Sequence, residues 1–173
     1  MSTRYVETLA TLAVMAELKA AAVFARWESG ELDDEEFVAL AETILWRECA
    51  RGVALADVSL AAFLSASLGS TVLPLALGLP EGHTRRLRAN IRATVAAGLT
   101  GESVRVLARS ESLSAAQDAY TEGMRQQGIP AWTRVLNSGA CELCRDLAGD
   151  VLPGDAEMYH HKGCGCTQRP ILN

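Results

Sequence analysis

Apolar residues recur at three- and four-residue spacing through most of the chain, and the spacing breaks only at turn-forming residues. An Ala-rich helical pattern covers residues 3–28 and stops at Ser29 and Gly30. Asp33, with Glu36 three positions on, is a cap-like start for a second helix running to about Ala50. In it Phe37, Leu40, Ala41, Ile44 and Leu45 share one face, with Trp46 beside them. A third helix is predicted over 53–68, where Val53, Ala56, Leu60, Phe63 and Leu64 recur before Gly69. After a loop holding Pro74 and Pro80 come a basic helix over 83–98 and a long amphipathic helix from about Glu102 to Gln127. Gly128 and Pro130 end the latter. The texture then changes: AWTRVL, 131–136, alternates as a strand does, and from Asn137 onward Gly, Cys and turn residues dominate.

These elements predict a mainly α fold, with a multi-helix N-terminal body over 1–128 and a small α+β C-terminal module over 129–173. Composition agrees. Of 173 residues, 49% are apolar but only 5% aromatic, an Ala and Leu excess that suits packed helices better than a β-sandwich. Trp27 and Trp46 read as packing anchors, and Cys49 as a small core residue. Ser70 and His83 lack any nucleophile motif and read as loop residues.

Net charge is −5, which excludes the strongly basic balance of a general nucleic-acid coat. Any such contact must be local, and Arg85, Arg86, Arg88 and Arg92 on the basic helix are the place for it; the simpler reading is a solvated face. From Val58 to Pro80 no charged residue appears, which is nearly the length of a bilayer span. Its serines, the Gly69-Ser70 break and Pro74 favour a buried helix followed by an apolar loop, and no membrane partner is expected. Glu7 and Glu17 inside the first apolar stretch do not fit a signal peptide.

The candidate chemistry sits in CELCRDLAGDVLPGDAEMYHHKGCGC, 141–166. Cys141-x-x-Cys144 is a knuckle spacing in which two sulfurs of a tight turn can converge on one ion. His161-x-x-Cys164-x-Cys166 follows, with Gly163 and Gly165 leaving the backbone free to close around the sulfurs. Zinc takes four ligands, and Cys141, Cys144, His161, Cys164 and Cys166 offer five, with His160 in reserve. A structural Zn2+ is the favoured reading, and the favoured set is Cys141, Cys144 and His161 with one of Cys164 or Cys166. Disulfides, a redox CxxC and unoccupied thiols are the alternatives. Glu142 and Asp146 have no partner histidine elsewhere, and the ligand surplus leaves no open position for catalysis, so no enzyme is expected.

The order of features resembles the C-terminal region of minor head proteins similar to protein F of bacteriophage Mu. Arg109 and Glu111 stand at the positions of that family's Arg/Glu helix, and Trp132 and Arg134 in its Trp-containing strand. Cys141, Cys144, Leu147 and Gly149 match its knuckle, and His161, Cys164 and Cys166 match its closing HPxCRC motif. Here that motif is His-Lys-Gly-Cys-Gly-Cys, so the family's Pro and Arg are absent. The likeness covers residues from about 105 to 173. It implies a structural component of phage head morphogenesis, made in the host cytoplasm and built into the virion beside the portal. The implied partners are the portal protein, other capsid or scaffolding proteins, packaged DNA and further copies of the chain. A zinc-knuckle nucleic-acid-binding protein is the alternative, weakened because acidic residues outnumber basic ones around the cysteines.

Overall fold

A computed structural model describes residues 3–159 and 161–172. Four helices, α1 (Thr3–Glu28), α2 (Asp34–Leu68), α3 (His83–Ala96) and α4 (Gly101–Gln126), precede β1 (Ala131–Val135), the short α5 (Glu142–Asp146), β2 (Val151–Pro153) and β3 (Thr167–Ile171). The fold is mainly α with a small α+β module at the C-terminal end. Its three strands are antiparallel in the order β2-β1-β3, with Trp132 opposite Leu152 on one side and Pro170 on the other.

The start of α2 is the cap the sequence announces: the Glu36 amide donates to Asp33 Oδ1 at 2.8 Å, and the Asp33 amide donates to Glu36 Oε2 at 2.9 Å. Its course differs from expectation. The helices predicted to about Ala50 and from 53 are one 35-residue helix, with Gly52 in its middle. Gly52 packs against α4, where a Cβ would lie 2.9 Å from the Ser112 carbonyl oxygen and 3.3 Å from Ala116 Cβ. The gap expected between the two helices is therefore a close contact with α4.

Two apolar clusters fill the interior. One joins Phe24, Phe37, Leu45, Leu87, Ile91 and Val104 across α1 to α4. The other includes Leu9, Leu60, Leu113 and Tyr120 and runs on into Trp132, Cys144, Cys164 and Cys166. The change of texture at Gly128 therefore marks a change of secondary structure, while the core continues across it. Trp27 packs between Phe24 and Phe37, with ring centroids 5.7 and 5.6 Å away, and donates to Asp34. Trp46, expected to anchor packing, is 43% exposed, because the buried stripe runs through Leu45, Glu48, Cys49 and Gly52 and leaves position 46 facing outward.

By length and hydropathy alone, α1 and α2 could each cross a membrane. In this fold the buried acids of α2 are matched by other elements. Glu42 accepts from Arg88 of α3, Glu48 accepts from Lys19 of α1, and Asp57 accepts the amides of Leu75 and Leu77 at 2.8 and 3.1 Å. The charge-free stretch after Val58 is thus the end of α2 followed by an extended loop pinned at Asp57. Asp57→Ala is expected to cost about 1–3 kcal/mol through the two orphaned amides, read by urea denaturation, and to open 70–80 to protease first.

Three of the four arginines on the basic helix are engaged within the chain: Arg86 with Glu111 at 3.2 Å, Arg88 with Glu42, and Arg92 with Glu35 at 2.7 Å. His83, first residue of the predicted basic helix though also read as a loop residue, opens α3, is buried, and turns Nδ1 toward Arg86.

Candidate metal centre

The strand β1 alternates in burial, so that Trp132 and Arg134 face inward while their neighbours are half-buried. Past its end the chain turns, with the Ala140 amide donating to the Asn137 carbonyl, and Cys141 stands immediately before α5. The helical turn is what brings Cys144 back beside Cys141, the spacing seen in the sequence. The second half closes by a similar device: the Cys164 amide donates to the His161 carbonyl at 3.0 Å, around Gly163 at φ 74°. A side chain at Gly163 would press on Arg109, and one at Gly165 would strike Asn137.

These turns bring the five expected ligands into two overlapping triads, Cys141 with Cys144 and His161, and Cys144 with Cys164 and Cys166. Within each triad the donor atoms lie no more than 4.8 Å apart. His161 Nε2 is 3.1 Å from Cys141 Sγ and 3.7 Å from Cys144 Sγ, and Cys144 Sγ is 3.6 Å from Cys164 Sγ. A tetrahedral zinc, with bonds of about 2.3 Å to sulfur and 2.0–2.1 Å to nitrogen, needs donor-to-donor edges of roughly 3.5–3.8 Å. Two of the three edges fall in that range and the Cys141–His161 edge is shorter, so the cluster has the donor chemistry and the approximate spacing to hold a metal ion. The five cysteines are all free thiols, so the disulfide alternative is not what the fold contains. His160 lies outside the described residues, and Cys49 is fully buried in the helical core. Glu142 and Asp146 project outward from α5.

The electrostatics of the cluster are those of sulfurs sharing too few protons. Burial pushes the Cys144 thiol up to about 11. The Cys166 thiol, beside Cys164, holds the latter down to about 5 and is itself raised. The Cys144 amide lowers Cys141, with His161 assisting. His161 is raised, chiefly because its Nδ1 lies 3.0 Å from the Lys162 carbonyl, and that contact also turns Nε2 toward the sulfurs.

Of the residues that hold the loop, the sequence singled out Arg109 only through the resemblance, and it missed Gln117 and Asn137. Gln117 of α4, 2% exposed, donates from Nε2 to the carbonyls of Cys164 and Cys166 at 2.8 and 2.7 Å. Arg109 Nε donates to the Gly163 carbonyl at 3.2 Å while its Nη1 reaches Glu17 of α1 at 2.9 Å. Asn137 Oδ1 faces Cys166 Sγ at 3.7 Å. Gln117 had a signal: it is an amide on the buried face shared by Leu113, Ala116 and Tyr120, where a polar group needs a partner. Gln117→Leu is expected to strand both carbonyls and to weaken metal retention about 10–100-fold, measured by chelator competition.

No family model, curated protein or solved structure matches the chain.

Proposed function

We propose that the cluster is a structural zinc site and that the protein is a minor head protein of a bacteriophage, built into the virion beside the portal after assembly in the host cytoplasm. The observation that carries the metal reading is the meeting of two triads at Cys144, whose Sγ lies 3.7 Å from His161 Nε2 and 3.6 Å from Cys164 Sγ. The phage reading rests on the resemblance in the order of features. It is supported by the contact of Arg109, on the resembling helix, with the Cys/His loop, and by Trp132 in the same core as the cysteines. Portal, capsid and scaffolding proteins are the proposed partners, and the ion's part is to close a module too small and too poor in aromatics to hold its own shape. We read no catalytic role, since donors outnumber the positions of a four-coordinate ion. Binding through phosphate is the less favoured reading, because Arg86, Arg88 and Arg92 are engaged by glutamates.

Purified heads from the phage encoding this chain should contain it together with about one zinc per copy. Its absence from heads would sink the capsid reading, and a metal-free native chain would sink the zinc reading. Zinc uptake should also depend on pH with a definite sign. The Cys144 thiol, raised to about 11, is protonated at neutral pH without the ion, and the raised His161 holds its second proton more tightly than a free imidazole does. Both protons leave on loading, so apparent affinity rises with pH and falls on acidification, as chelator competition across the neutral range would show.

A further inference from the structure

Arg134 is a buried cation in need of an anion. It is 6% exposed on the inward face of β1. Nη2 donates to the Tyr159 carbonyl at 2.6 Å, Nη1 faces Cys144 Sγ at 3.9 Å, and Nε has no hydrogen-bond partner. Among the described residues no carboxylate pairs with it, whereas Arg109, the other arginine at the cluster, is matched by Glu17. A guanidinium does not shed its proton in a protein, and a full charge taken out of water needs a counter-charge beside it. The group at its tip capable of being an anion is the Cys144 sulfur.

Charge then selects among the five donors. Zn2+ with three thiolates and a neutral imidazole carries one negative charge, which Arg134 cancels; with four thiolates it carries two, and one is left buried. Geometry selects in the same direction. Cys166 Sγ lies beside Asn137, with Oδ1 3.7 Å away. Cys164 has its sulfur 3.6 Å from that of Cys144 and its amide on the His161 carbonyl. We infer that the ion is held by Cys141, Cys144, His161 and Cys164, that Cys166 stays outside the coordination shell beside Asn137, and that Arg134 is the site's counter-charge. The inference rests on the zinc reading and makes Arg134 a positioning residue, acting on the ion through Cys144.

Cobalt(II) in place of zinc in the full chain gives a thiolate-to-metal charge-transfer band that scales with the number of bound sulfurs. Cys166→Ser should keep the wild-type band, and Cys164→Ser should lose one sulfur's share. Arg134→Gln, which keeps a donor for the Tyr159 carbonyl, should lower zinc affinity about 10–100-fold, and Arg134→Lys should restore most of it. A Cys166→Ser protein that loses intensity while Cys164→Ser does not, or an Arg134→Gln protein that retains zinc as tightly as wild type, overturns the inference and leaves the zinc site standing. A wild-type chain that takes up neither metal overturns the zinc reading, and this inference with it. If Arg134→Gln does not fold, the comparison of the two cysteine variants decides.

Discussion

Replacing Cys144 with serine is expected to abolish the proposed zinc binding and open the C-terminal module, a larger effect than the loss of any other single cysteine. Cys144 is the one donor common to both triads, so no rearrangement among the remaining four replaces it. The energy at stake is large, because a structural zinc site supplies on the order of 10–16 kcal/mol in small metal-folded domains. Part of that is offset here, since the loop is also tied to α4 through Gln117 and Arg109. The expected result is a helical body that survives with a lower midpoint of unfolding, while protease cuts first within 137–166. Cys166→Ser should show neither change. The measurements are metal content, limited proteolysis with mass mapping, and thermal unfolding. A Cys144→Ser protein with wild-type zinc and a wild-type cleavage pattern would falsify the structural role of the ion.

Trp132→Ala should be the most destabilising apolar truncation, at about 3–5 kcal/mol. The indole is fully buried at the centre of the sheet, opposite Leu152 and Pro170, and its Nε1 donates to the Ala156 carbonyl at 3.2 Å. Truncation leaves both a cavity and an orphaned acceptor. Because Trp132 shares a cluster with Leu60, Leu113 and Tyr120, the cost should reach the helices as well. Urea denaturation followed at the helical signal should therefore shift as one transition to lower denaturant with its slope unchanged. A helical transition that stays in place while the module melts separately would show that the two parts are energetically independent.

How much of this was legible in the chain can be judged residue by residue. The α2 start at Asp33, the end of α4 before Gly128 and the β1 strand are local events, dictated by caps, left-handed turns and alternation, and they stand where the pattern puts them. The helix break expected between residues 50 and 53 and the anchoring role expected of Trp46 failed for one reason. Whether a glycine is a break or a contact, and which side of a helix is buried, depends on what lies across from it. β2 has too few residues to show any period, and it exists as a strand because β1 offers it partners.

The cysteine and histidine cluster divides along the same line. The residue types and the CxxC and HxxCxC spacings determined by themselves that donors would meet, because a turn of helix and a tight glycine loop bring near neighbours together whatever surrounds them. The tertiary structure alone decided that the two halves meet each other, that Gln117 and Arg109 clamp the loop from a helix some fifty positions earlier, and that an uncancelled Arg134 faces Cys144. Local spacing encodes what a few bonds can enforce. Burial and charge balance belong to contacts between distant segments, and those exist only once the core has closed.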